Sequence, residues 1–122
     1  MEIQNLSEGI ILAILSEEPN ITCELATVVE ALNADQACDV IVNFSAVGVI
    51  TSSSIGKLIE LRDVLQKRSR RLILSDVALP TRCIFKVVGL EQLFEFSDNK
   101  DTALAELENA SRQHSLAARD NV

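Results

Sequence analysis

The residues best suited to chemistry lie in one short stretch, Thr51-Ser52-Ser53-Ser54-Ile55-Gly56. It follows a β-branched apolar run and opens an amphipathic one, which places it at a strand-to-helix turn. Four consecutive hydroxyls at a helix start can do two things. They can accept hydrogen bonds from the unpaired N–H groups of the first turn. One of them can also carry a phosphoryl group, because the positive end of a helix dipole tolerates about −1.5 to −2 of added charge. Capping is the simpler account, but one cap needs one hydroxyl and four leave acceptors to spare. On composition alone the cap reading is favoured over the phosphoryl one.

Little else in the chain suits catalysis. Its single histidine, His114, lies in a polar stretch near the C-terminus and reads as a solvated helix residue. No Ser-His-Asp set is credible with that imidazole alone. Neither glycine-rich nucleotide fingerprint occurs. The cysteines, Cys23, Cys38 and Cys83, are odd in number, and no two sit at C-x-x-C spacing. They form neither a disulfide framework nor a zinc site, and are expected as buried packing residues in a reducing compartment. The carboxylates are scattered as on a solvated surface. The expectation is a non-enzyme with no catalytic residue, no metal and no cofactor.

Charge and hydropathy exclude further classes. Against 11 basic residues stand 18 acidic ones, for a net charge of −7. A phosphate backbone would be repelled on average, and 3% aromatic residues cannot build a base-stacking platform. Nucleic acid is therefore not an expected partner. Lys67, Arg68, Arg70 and Arg71, with Arg62 upstream, form one basic cluster. It reads as cations complementing the negative pole of a helix, rather than as a phosphate-binding patch. The N-terminus lacks a basic leader, and the longest apolar run, Ile10 to Leu15, is far too short to span a bilayer. The expected protein is soluble and cytoplasmic, with no membrane insertion.

The elements that must position the hydroxyls follow from periodicity. Ile10 to Leu15 is a continuous apolar run, as in a strand buried on both faces, with Glu2 to Leu6 as a preceding edge strand. Ile21, Leu25, Val28, Val29 and Leu32 mark one face of a helix, with Asn20 as its N-cap. Asp39 to Phe44 reads as the next strand, and residues 54–67 as a helix with a stripe at Ile55, Leu58, Ile59, Leu61 and Leu65. Arg71 to Leu74 is a third buried strand. Pro80 opens a short helix and Gly89 closes it. Leu93 to Phe96 reads as a last strand, and Asp98 with Asp101 as the capping pair of a last helix. The alternation predicts an α/β fold: one domain, a mostly parallel sheet of four to five strands, and about four helices. The domain is expected over residues 1–112, with 113–122 as a frayed tail.

Several of these stretches together resemble the STAS domain, the family of bacterial anti-sigma factor antagonists and of the regulatory tails of sulfate transporters. Val40 to Leu58 is similar to the family's strand ending in Asp-Leu-Ser, a short apolar link, then Asp-Ser-Ser-Gly-Leu-Gly and a helix. Arg71 to Val77 resembles the next strand, and Val87-Val88-Gly89-Leu90 with Leu93-Phe94 resembles the family's Thr-Gly-Leu-x-x-Leu-Phe pattern. The likeness spans about residues 8–110, in register.

The resemblance implies a binding module rather than a catalyst. Ser52 falls on the serine that a partner kinase phosphorylates in the antagonists, with Thr51 and Ser53 as alternates. The implied contact patch is Asn43, Ser52, Ser53, Ser54, Gly56 and Lys57. The implied partners are an anti-sigma factor that is also a serine kinase of the GHKL type, and a phosphatase of the PP2C type. Thr51 replaces the family's Asp, Asn43 its strand-end Asp, and Ser54 a Gly. These departures remove local negative charge and add rival acceptors. The alternative is an unphosphorylated STAS subunit of a stressosome-like scaffold or of a lipid-transport ABC system.

Overall fold

The structure, a computed structural model, describes residues 2–7, 9–34 and 38–109. Strand β1 (Glu2–Ser7) pairs antiparallel with β2 (Ile10–Ile14). From β2 onward the pairing is parallel, through β3 (Asp39–Asn43), β4 (Leu72–Ser75) and β5 (Glu95–Ser97), so the strand order follows the sequence. Helix α1 (Ile21–Ala34) joins β2 to β3, α2 (Ser52–Lys67) joins β3 to β4, and α3 (Leu79–Val87) precedes β5. A fourth helix, α4, covers residues 100–109.

The apolar runs of the central strands are continuous because both sheet faces are covered. Side chains alternate across a strand. Ala13, Val42 and Leu74 lie side by side and face a core built with α1, α2 and α3. Their neighbours Leu12, Ile41 and Ile73 point the other way, onto Ala103 and Leu107 of α4. The helical stripe of α1, from Ile21 to Leu32, is buried throughout, and so are Ile55, Leu58, Leu61 and Leu65 of α2. With so few aromatics, the only ring cluster among the described residues is Phe85 against Phe94 and Phe96, edge-on at 5.5 and 5.7 Å.

Four expectations are corrected. Strand β4 starts at Leu72, because Arg71 precedes it and ties its N–H to the Asp39 carboxylate at 2.8 Å. Residues Glu91–Leu93 form a short 3-10 turn, and β5 begins only at Glu95. Helix α4 is capped by Asn99, whose side-chain oxygen accepts from Thr102 N–H at 2.8 Å and whose carbonyl accepts from Ala103 N–H at 3.1 Å. Cys23 and Cys83 are exposed, and only Cys38 is buried.

The basic cluster both meets helix ends and staples elements together, with Lys67 in the last turn of α2. Arg68 donates to the carbonyl of Leu32 at the end of α1. Arg70 lies 3.2 Å from the Asp39 carboxylate and donates to Gly9 O at 2.9 Å. Arg71 grips the Glu95 carboxylate through two nitrogens. Gly9 has φ +80°, a backbone that glycine adopts freely, and a Cβ there would sit 3.1 Å from the Arg70 guanidinium. His114 and the expected tail at 113–122 lie outside the described residues.

Burial pushes the Cys38 thiol above its ordinary pKa, against the pull of Arg70. A raised pKa and a closed site both slow thiolate chemistry. A thiol-specific alkylating reagent on the native protein is expected to label Cys23 and Cys83 first. Cys38 should react only after unfolding, as read by peptide mass mapping.

Candidate functional site

Strand β3 delivers the chain to the C-terminal edge of the sheet, where its last residue ties two loops together. Asn43 donates from Nδ2 to the Asp76 carboxylate at 2.8 Å and accepts from Ser45 N–H through Oδ1 at 2.9 Å. Asp76 has φ +57°, a left-handed conformation that Asp tolerates better than most residues. The loop to α2 is anchored by the buried side chains Phe44, Val47 and Ile50. Between these anchors Ser45, Ala46, Gly48 and Val49 face out, Val49 with 67% of its surface exposed.

Helix α2 then begins at Ser52 with Thr51 as its N-cap, in an extended conformation. The Thr51 hydroxyl accepts from Ser54 N–H at 3.3 Å, and its carbonyl accepts from Ile55 N–H at 3.0 Å. A carboxylate completes the turn from elsewhere in the chain. Glu18, in the loop between β2 and α1, accepts the Thr51 N–H at 2.8 Å, and both its oxygens lie 3.0 Å from Ser54 Oγ. Ser54 Oγ is also 2.9 Å from Thr22 Oγ1 on α1. A negative charge at a helix N-terminus is favoured by the helix dipole. The Glu18 loop is itself tied to α1, because Glu24 accepts from Ser16 N–H at 3.0 Å and from Ser16 Oγ at 2.8 Å. Burial acts to raise the Glu24 pKa, but the bonds it accepts outweigh burial and leave it below the ordinary glutamate value.

The four hydroxyls therefore divide by role. Thr51 caps the helix. Ser54, expected on the contact patch, has no exposed surface and joins α1, α2 and the Glu18 loop. Ser52 and Ser53 are exposed, and neither side chain hydrogen-bonds to a described residue. Gly56 is exposed, and Lys57 is half-buried and paired with Glu60 at 3.1 Å. Asn43 is buried, so it positions the loops without offering a surface. Sequence reasoning missed Glu18, Asp76 and Val49. Glu18 is 33 residues from Thr51, and no local spacing rule connects them. Among the described residues no cluster of His, Cys, Asp and Glu could hold a metal ion, and no helix is long and apolar enough to cross a membrane.

The family profile described as STAS domain matches residues 12–103. The chain belongs to the STAS domain family. Solved STAS structures share its fold. RsbS of Moorella thermoacetica, in a variant with one serine replaced by glutamate, superposes with a TM-score of 0.78 at 14% identity, over 91% of this chain and 97% of that one. A sulfate transporter family protein from Wolinella succinogenes gives 0.77 at 18%, over 89% and 93%. The anti-sigma factor antagonist SpoIIAA in its unphosphorylated form gives 0.75 at 17%, over 88% and 96%. At these identities the likeness establishes the fold alone. No curated protein matches the chain by sequence. The match confirms the expected single STAS-type α/β fold, with five strands and four helices among the described residues.

Two measurements test the roles assigned here. Glu18→Ala removes the acceptor of the Thr51 N–H and one partner of the Ser54 hydroxyl, which keeps Thr22 Oγ1, and should cost about 0.5–1.5 kcal/mol in a urea titration. Glu18→Gln keeps an acceptor and should cost less. The second concerns pH. A glutamate whose folded pKa lies below its unfolded value stabilises above the unfolded pKa, about 4.3, and loses that contribution as pH falls through the folded value. Glu24→Gln should therefore destabilise most at pH 7, by about 1 kcal/mol. That deficit should shrink toward zero on acidification.

Proposed function

We propose that the chain is a regulatory binding protein of the anti-sigma factor antagonist type, switched by phosphorylation of Ser52. The observation that carries this reading is the placement of Ser52. It is an exposed, uncommitted hydroxyl on the first residue of α2, in a family of regulatory binding domains. Small or short side chains around it, from Ser45 to Gly56, would let a partner approach the backbone closely. Val49 offers an apolar contact beside it. Thr51 and Ser53 remain exposed alternates as acceptors, whereas Ser54 is closed off.

The switch would be electrostatic and local. Phosphate on Ser52 would add about −1.5 to −2 of charge to a turn that already holds the Glu18 carboxylate. The helix would tolerate it, while a partner surface fitted to the neutral hydroxyl would have to desolvate it. A loss of about 4 kcal/mol weakens binding roughly a thousandfold, with no large rearrangement required. The partners in this reading are an anti-sigma factor that is also a serine kinase of the GHKL type, and a PP2C-type phosphatase. They would meet the chain in the cytoplasm. The domain would extend over residues 1–112. SpoIIAA has been solved in a phosphorylated form, and this chain resembles that structure with a TM-score of 0.68 at 16% identity.

A second reading rests on a specific feature. Glu18 already supplies a negative charge to the α2 turn, so the chain would need no phosphate to present an acidic helix start. It would then act as an unmodified subunit of a stressosome-like scaffold or of a lipid-transport ABC system. A component of the stressosome is among its structural neighbours, with a TM-score of 0.73.

Phosphopeptide mapping of the protein from its native cells, with phosphatase inhibitors present, separates the two. The switch predicts phosphate on Ser52 and none on Ser54. It also predicts that Ser52→Asp releases the kinase that Ser52→Ala retains, with both variants folded by circular dichroism. Equal binding by the two variants, or an unmodified Ser52 under growth and stress alike, would favour the scaffold reading.

A further inference from the structure

Helix α3 is apolar on two faces and buries only one. Its inner side carries Thr81 and Phe85, both sealed in the core. Its outer side carries Leu79, Cys83 and Val87 at successive four-residue steps, which align on one helix face. Leu79 is 77% exposed, Val87 85%, and Val88 just beyond the helix 54%. Contiguous exposed apolar surface of this kind marks an interaction site.

The charge beside the stripe says what covers it. Arg82 and Lys86 sit one position before Cys83 and Val87, so a row of cations borders the apolar row. Lys57, Arg62, Arg70 and Arg71 each lie within ion-pairing distance of a carboxylate, but among the described residues Arg82 and Lys86 do not. The Arg82 guanidinium is held 4.6 Å over the Phe96 ring, which fixes its position without neutralising it. Residues 77–90 contain no acid, in a chain of net charge −7, and Glu91 follows them directly. Between α3 and the 3-10 turn lies a notch of about 270 Å³, lined by Leu79, Arg82, Cys83, Lys86 and Glu91. The notch is shallow and open, and on its rim Arg82 and Lys86 outnumber Glu91.

We propose that the outer face of α3 docks an acidic segment of a partner protein, which seats an apolar side chain in this notch and carboxylates on Arg82 and Lys86. A narrow segment would meet α3 alone. An anionic bilayer would face a chain of net charge −7 and be repelled on average. No residue that lines the notch belongs to the Ser52 turn, and on this proposal its occupancy does not depend on phosphate there.

The test places a photoreactive benzoylphenylalanine at Val87 in the full chain, in the cells that produce it, and sequences the cross-linked peptide. The expected adduct joins Val87 to a segment of another protein that contains an apolar residue flanked by Asp or Glu. Its yield should fall at least fivefold with Arg82→Glu and Lys86→Glu combined, and stay unchanged with Ser52→Asp. All of these positions are exposed, and each variant should keep its thermal midpoint within a few degrees. The proposal is overturned by an adduct with a second copy of this chain or with lipid. It is equally overturned by an adduct insensitive to charge reversal, or by none. Loss with Ser52→Asp alone would assign Val87 to the switched interface and also overturn it.

Discussion

A sheet of adjacent parallel strands cannot leave a face to water, and the rest of this molecule follows from that. Strands β2 to β4 carry apolar side chains on both sides, so helices must lie on both. α1, α2 and α3 cover one face and α4 the other. Each crossover helix starts near the edge where its strand ended. The parallel pairing thus gathers Asn43, Ser75 and Ser97 in register at one edge, with the start of α2 beside them. The exposed serines are where they are because burial of the β2–β4 ladder put that turn at the rim.

The fold is legible wherever a local rule acts. Two-sided apolar runs identify β2 to β4, and a 3.6-residue stripe identifies α1 and α2. Boundaries drift where tertiary contacts decide. Arg71 reads as strand because it adjoins Leu72, but its N–H is taken by Asp39 from another strand. Asp98 and Asn99 are both plausible caps by type, and backbone geometry selects Asn99. Cys23 and Cys83 look like core residues by composition, yet each lies on the outer side of its helix. The basic cluster is legible in part as cations at helix ends, with Lys67 in the last turn of α2 and Arg68 on the Leu32 carbonyl of α1. What spacing does not announce is that Arg70 and Arg71 reach Gly9, Asp39 and Glu95 elsewhere in the chain.

The candidate site is half legible for the same reason. The run of hydroxyls announces a helix start, and the resemblance singles out Ser52. What no pattern announces is that the charge lost at position 51, where the family carries Asp, reappears through space. Glu18 comes from the preceding loop and places its carboxylate on the same turn. A sequence comparison confined to Thr51–Gly56 sees a missing acid, whereas the folded chain has one.

That substitution in space changes what the remaining hydroxyls are free to do. A helix start has a limited number of unpaired donors, and each must find an acceptor. Here Thr51 satisfies Ser54 N–H, and Glu18 satisfies Thr51 N–H and the buried Ser54 hydroxyl. Ser52 and Ser53 are left with no capping duty. The acid from the neighbouring loop therefore adds charge to a helix start that Thr51 already caps locally, and it does so without occupying Ser52. Cap and charge come from different parts of the chain: the cap is local to the turn, and the charge arrives through space from the β2–α1 loop.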